Sequence, residues 1–408
     1  MNNDINSGHP GCSRPLDGIR VIELGQLIAG PFAGSILAYF GAEVIKIEPP
    51  QQGDPIRNWR VVENGTSLWW RSIGRNKKSL TLDLRKHRGR EIVRKLLVDA
   101  DVLIENFRPG VMEDWQLGPE DVKSINAKII YTRISGYGQT GPLAHKPGFA
   151  SVCEGFSGFR AVNGFPNEAP VRPNLSIGDT IAGIHAALGI ALAIIERSQS
   201  QSSAGQVVDV AIYESMYNLM EAVIPEYDGA GIIRQASGTT LTGIVPTNTY
   251  KCKNDKYVII GGNTDSIFKR LMNAAGHSEM ATNPDMATND GRVKNQRAID
   301  NAISNWCLTK SSEDILEILD QNRVPGGPIY NVEDMMHDEH YIARGMFEQV
   351  EIDGKPLNIP AIAPKLSRTP GQTIWPGSDV GSHTTEILEQ ILGLSRSQID
   401  TLKTEQVI

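Results

Sequence analysis

Residues 19–48 constrain the fold more than any other stretch. Ile19-Arg20-Val21-Ile22-Glu23-Leu24 is a short β-rich run after the turn Pro15-Leu16-Asp17-Gly18. A small-residue loop follows at 25–31, then a helix of small and apolar residues from Phe32 to Tyr39, closed by Gly41-Ala42. Glu43-Val44-Ile45-Lys46-Ile47-Glu48 is a second strand, ended by Pro49-Pro50. Strand, helix and strand within about thirty residues make a βαβ unit, the crossover that parallel strands require. The first loop has no G-x-G-x-x-G, so no dinucleotide is assigned to it.

The pattern recurs. Ser79–Leu84 alternates as a strand, Arg88–Ala100 as an amphipathic helix, and Asp101–Glu105 as a strand ending in the loop 106–110. A helix at 119–125 leads to a strand over 127–134 and a turn-rich loop at 135–148. Gln206–Ala211 adds a further strand and 213–223 a helix. These elements predict an α/β fold with an open, Rossmann-like parallel sheet, whose ligands sit beyond the carboxyl ends of the strands. The loops at 25–31, 106–110 and 135–148 fall there.

From about residue 225 the texture changes. Tyr257–Asn263 is a strand meeting the double glycine Gly261-Gly262, and helices are expected at 265–275, 296–308 and 311–322. The expected division is a flexible tail at 1–14, a large α/β domain at 15–224, a smaller α+β domain at 225–325, and a return to the large domain at 326–408. One last helix is expected, Thr384 to Leu392.

Composition narrows the function. A net charge of −7 argues against a nucleic-acid partner, which needs a basic surface. No uninterrupted apolar run reaches the ~18 residues of a membrane span, and the first fifteen residues lack an apolar signal core. The four cysteines are scattered, with no metal-ligand spacing, so reduced thiols in a cytoplasmic protein are expected and no metal site.

The stretch Pro173–Gly183 places one acid, Asp179, at the head of a small and apolar run from Ile181 to Ile195, interrupted only by His185. Read locally, this is a buried helix with Asp179-Thr180 as its N-cap.

Short segments in order carry a wider resemblance. They include Ala29-Gly30-Pro31-Phe32, Gly41–Pro50, Gly53-Asp54-Pro55-Ile56-Arg57, Glu105–Gly110, Gly136–Pro142, Asp179, Gly261-Gly262 and Gly381–Glu386. Over nearly its whole length the chain resembles the class III CoA-transferases, the formyl-CoA transferase and CaiB/BaiF family. The resemblance implies an interlocked, ring-like homodimer with a smaller domain inserted into the larger. It implies CoA and acyl-CoA as substrates rather than a permanently bound cofactor.

It also assigns roles. Asp179 is the expected nucleophile on a thioester carbonyl, passing through a mixed anhydride and an aspartyl-CoA thioester. Gly261 and Gly262 match a glycine-rich loop covering that aspartate, and their amides are candidate oxyanion donors; the run is shorter here and turns to Asn263-Thr264. CoA contacts are implied at Ile28 and Ala29, at Leu82, Asp83, Leu84 and Arg85, at Asn106, Phe107 and Arg108, and at Lys146. Phe107 is a candidate against adenine, and Arg85 and Arg108 against phosphate. Arg71, Arg75, Lys77 and Lys78 are either a 3′-phosphate site or a solvated face.

The departures are informative. Formyl-CoA transferase has a glutamine in the register of Ile28, so oxalate and formate are not carried over. The racemase branch has its catalytic histidine where this chain has Phe149. The expected reaction is CoA transfer from an acyl-CoA such as succinyl-CoA to a four- to six-carbon dicarboxylate, with Arg160, Arg172 and Arg234 as candidates for a distal carboxylate. An acyl-CoA racemase and a non-catalytic CoA-binding protein are the alternatives.

Overall fold

The computed structural model describes residues 14–408; the expected tail at 1–14 lies almost wholly outside them. The chain forms two compact units. The first comprises the chain up to Phe159, Pro173–Met220 and Ala343–Ile408; the second comprises Arg160–Arg172 and Glu221–Ile342. The sequence put the smaller region at 225–325; the second unit is longer and recruits the segment 160–172.

The first unit is built on six parallel strands: β1 (Arg20–Glu23), β2 (Glu43–Glu48), β3 (Lys77–Thr81), β4 (Val102–Glu105), β5 (Ile130–Ser135) and β6 (Val207–Ala211). Their order is β3-β2-β1-β4-β5-β6, which reverses direction between β1 and β4. Alternate residues bury on opposite faces. Ile22, Ile45 and Leu103 meet α2 (His87–Leu97), while Val21, Val44 and Val102 meet α1 (Ala29–Tyr39) and α4 (Ile177–Gln199). With both faces covered, the strands need apolar residues at almost every position, as a parallel sheet does. The short α3 (Ala150–Phe156) and α5 (Ile212–Tyr217) close the end near the start of α4.

Helix α4 differs from expectation in two ways. It is only half buried, with Ala182, Ala186, Ala187 and Ile190 in the core but the equally apolar Ile184, Leu188, Leu192 and Ile195 between 43% and 58% exposed. It is also, by length and composition, the one helix among the described residues able to cross a membrane, yet here its small face packs on α1 and the sheet.

The second unit pairs β7 (Thr247–Lys251), β8 (Tyr257–Gly261) and β9 (Gly326–Pro328) antiparallel. Val258 and Ile260 of β8 point into a core with Phe268 of α6 (Asp265–Ala274), Ile303 of α7 (Gln296–Cys307) and Leu319 of α8 (Ser312–Gln321), while Tyr257 and Ile259 face out.

The return segment adds a hairpin, β10 (Phe347–Ile352) and β11 (Lys355–Pro360), and α9 (Thr384–Gln390), tied to β3 by His383 N–H donating to Ser79 O at 3.1 Å. A second terminal helix, α10 (Arg396–Thr404), was not expected. Its buried residues are only Ile399 and Leu402, too few for a clear helical period.

Candidate active site

The crevice where the strand order reverses lies between the carboxyl ends of β1 and β4, the place where such sheets take ligands. Asn106, just past β4, bridges it. Its Oδ1 accepts from Gln26 N–H and its Nδ2 donates to Gln26 O, both at 2.7 Å. The loop is tight: a Cβ on Gly25 would come within 3.1 Å of the Gly30 Cα. Ile28 and Ala29 are buried, so this loop offers a ligand its backbone rather than its side chains. The N-terminus of α1 has no side-chain cap and no acid in its first turn.

Beneath the loop lies a buried ion cluster. Glu23, Lys46, Glu48, Asp54, Arg57 and Lys77 are all at most 2% exposed. Lys46 Nζ lies 2.8 Å from Asp54 and 3.4 Å from Glu23, and it donates to Gly25 O. Lys77 Nζ lies 2.8 Å from Glu23 and donates to Pro31 O at 2.5 Å. Asp54 accepts Leu27 N–H at 3.0 Å, and Glu48 binds Arg57 at 2.7 Å. Three carboxylates balance three cations, without which burial would be prohibitive. Burial pushes Lys77 down to about 8; Lys46 moves up in spite of its burial, held by Asp54 and Glu23. The cluster grips the loop at residues 25, 27 and 31. Sequence reading missed this set because its members are spread from 23 to 77, and only charged residues inside apolar strands hint at it.

Asp179 is the third residue of α4, and the cap is Ser176, not Asp179; Ser176 makes no side-chain capping bond. A carboxylate in the first helical turn is favoured by the helix dipole. Two glycines seat this end. A Cβ on Gly178 would press on Ala150 and Ile212 at 3.2 Å, and Gly178 N–H donates to the buried Glu154 at 3.3 Å. One turn after Asp179, a Cβ on Gly183 would come within 2.9 Å of Ala29 O. The close approach therefore joins the Asp179 helix to the start of α1. Cys153 lies close by, its thiol on Gly136 O at 3.3 Å; burial, then the charges of Asp179 and Glu154, push it up to about 11. A thiol so placed is not a nucleophile.

The remaining predicted contacts divide. Arg108 and Lys146 are exposed, Lys146 lying 5.8 Å from the Tyr137 ring centre. Phe107 packs edge-on against Trp115, and its N–H is fixed by Glu105 Oε2 at 2.8 Å. Leu82 is buried and Leu84 packs on the core. Arg85 is exposed but bidentate to Asp83, at 2.9 and 3.0 Å.

The basic run is neither a phosphate site nor a solvated face. Arg71 holds Gly377 O, Arg75 holds Pro360 O, Lys77 belongs to the ion cluster, and Lys78 pairs with Glu43 and Glu386.

In the second unit, Gly261 ends β8 and Gly262 follows. Gly261 N–H donates to Pro325 O at 3.0 Å and Gly262 N–H to Pro246 O at 2.9 Å, so neither amide is open to an oxyanion in this conformation. A Cβ on Gly262 would strike Leu271 at 2.6 Å, which is a packing reason for that glycine. Arg234 pairs with Glu226 and Glu221.

The doubly wound sheet, its bridged switch point and the acid-bearing helix seated beside it define a ligand-binding α/β protein. The chain belongs to CoA-transferase family III, whose profile matches residues 16–384. It is 43% identical over 397 residues to the succinyl-CoA–D-citramalate CoA-transferase of Chloroflexus aurantiacus, covering 97% of this chain and 98% of that one. It is 39% identical to the succinyl-CoA–L-malate CoA-transferase alpha subunit of the same organism, covering 97% and 92%. Among solved structures, a CaiB/BaiF family protein from Brucella suis superposes with a TM-score of 0.81 at 31% identity, over 93% of this chain and all of that one.

Proposed function

We propose that this enzyme transfers CoA from succinyl-CoA to a four- to six-carbon dicarboxylate by ping-pong exchange through Asp179. The acids named for its relatives, citramalate and malate, are hydroxylated diacids and mark the acceptor class to try first. In the first half-reaction the Asp179 carboxylate attacks the thioester carbonyl, forms a succinyl–aspartyl anhydride and expels CoA thiolate. The thiolate attacks the aspartyl carbonyl, forms an aspartyl-CoA thioester and releases succinate. The acceptor carboxylate then attacks that thioester, expelling thiolate into a new anhydride. Attack of the thiolate on the acceptor's acyl carbon restores Asp179. Each nucleophile is a carboxylate or a thiolate, so no net proton moves and no strong base is needed.

One observation supports this reading: Asp179 is one helical turn from Gly183, whose Cβ would come within 2.9 Å of Ala29 O, so its helix packs directly on the start of α1, next to the loop after β1. The loop at 25–31, Asn106–Arg108 and Lys146 are the proposed CoA contacts, with Phe107 toward adenine and Arg108 toward phosphate. The exposed apolar stripe Ile184-Leu188-Leu192-Ile195 favours burial against a second copy, in an interlocked homodimer working in the cytoplasm.

The test is steady-state transfer from succinyl-CoA to citramalate, malate and glutarate with both substrates varied. Parallel double-reciprocal lines are expected. Intersecting lines, or no acyl-CoA product with any acid, would overturn the proposal.

A further inference from the structure

The amides at the head of α4 need acceptors that the helix itself does not supply. Its first internal bond runs from Thr180 N–H to Ser176 O at 3.0 Å, so the amides before it have no partner within the helix. A residue in the cap position usually takes one of them with a side-chain oxygen. Ser176 makes no such bond, and the Thr180 hydroxyl donates to Ser176 O at 2.8 Å instead of accepting.

The acceptor comes from another helix. Glu154, on α3, is 0% exposed, and its carboxyl accepts Gly178 N–H at 3.3 Å. Gly178 is the second residue of α4, a position whose amide an ordinary cap would take, and the residue after it is Asp179. With no side chain at 178, the turn comes down on α3: a Cβ there would stand 3.2 Å from Ala150 Cβ and 3.4 Å from Glu154 Cγ. Burial, then the charges of Asp179 and Glu154, raise the Cys153 thiol, which places both acids in reach of one atom. Helix ends fray, and a nucleophile in an unfastened first turn would not hold its place.

We propose that Glu154 is a positioning residue, capping α4 from α3 and so holding the turn that presents Asp179 to the thioester. This rests on the transferase reading above. Its signature differs from that of a group that binds CoA: kcat and kcat/KM should fall together while KM stays.

The test compares wild type, Glu154→Gln, which keeps an acceptor for Gly178 N–H, and Glu154→Met, which is of similar length but has none. Melting curves set a temperature at which all three are folded. In Glu154→Met, kcat with succinyl-CoA is expected to fall at least about tenfold at nearly constant KM, and Glu154→Gln should recover most of it. Hydrogen exchange of the peptide containing Gly178, read by mass spectrometry, should quicken in Glu154→Met and much less in Glu154→Gln. Wild-type kcat in Glu154→Met, an equal loss in both variants, or unchanged exchange in Glu154→Met would overturn the role of Glu154 while leaving the transferase reading intact. A wild type that transfers CoA from no donor would overturn the transferase reading, and with it the role of Glu154 in presenting Asp179.

Discussion

Gly183 lies so close to Ala29 that a side chain at position 183 would bring its Cβ within 2.9 Å of the Ala29 carbonyl oxygen. One contact thus fixes the distance between the helix that carries Asp179 and the loop proposed to receive CoA. Chemistry at the thioester carbonyl depends on that distance at the ångström scale.

Gly183→Ala is therefore expected to push α4 away from α1. Overpacking of this kind costs about 1–3 kcal/mol, and kcat should fall at least about tenfold, because misplacement by about 1 Å costs on the order of 100-fold. Denaturant unfolding and steady-state kinetics on the same preparation check both. A variant with wild-type kcat would mean that the contact does not position Asp179.

The ion cluster predicts a different signature. Lys77→Met leaves the buried Glu23 carboxylate with Lys46 alone, at 3.4 Å, puts the cluster one cation short and frees Pro31 O; breaking a buried pair costs about 3–5 kcal/mol. Adding Glu23→Gln removes the unbalanced charge, so the double variant should be more stable than Lys77→Met alone. A double-mutant cycle with no coupling would contradict the pairing.

Glu105 gives a pH dependence. Burial raises its carboxyl from an ordinary 4.5 to about 7, against the pull of Arg133 at 2.8 Å. Between those values the folded chain keeps a proton that the unfolded chain has released. The contribution of this group is therefore full below pH 4.5 and lost as pH rises through 7. Relative to Glu105→Gln, the wild type should lose stability from pH 5 to 7.5, by on the order of 1 kcal/mol or more. Unfolding free energies measured across that range check it. Parallel curves, or a relative gain, would contradict the raised value.

The parallel sheet was legible because strands covered on both faces are nearly continuous apolar runs. What the pattern hid was charge inside those runs. The strand expected at Ser79–Leu84 actually spans Lys77–Thr81, since Lys77 is buried by its pairing with Glu23, fifty-four positions away. The same blindness made Arg71–Lys78 look like a free basic run, although its partners stand as far off as Glu386. Asp179 was singled out through family resemblance. Local reading made it a cap, and only the backbone places the cap at Ser176. The double glycine was read as two open amides; carbonyls at Pro246 and Pro325, remote in sequence, occupy both.

The most direct test of the account is intact-protein and peptide mass spectrometry after incubation with succinyl-CoA. The covalent intermediate is trapped with borohydride or hydroxylamine, beside Asp179→Ala. The account predicts modification on the peptide containing Asp179 in the wild type and none in the variant. Modification that persists in Asp179→Ala, or falls on another residue while transfer proceeds, would contradict it.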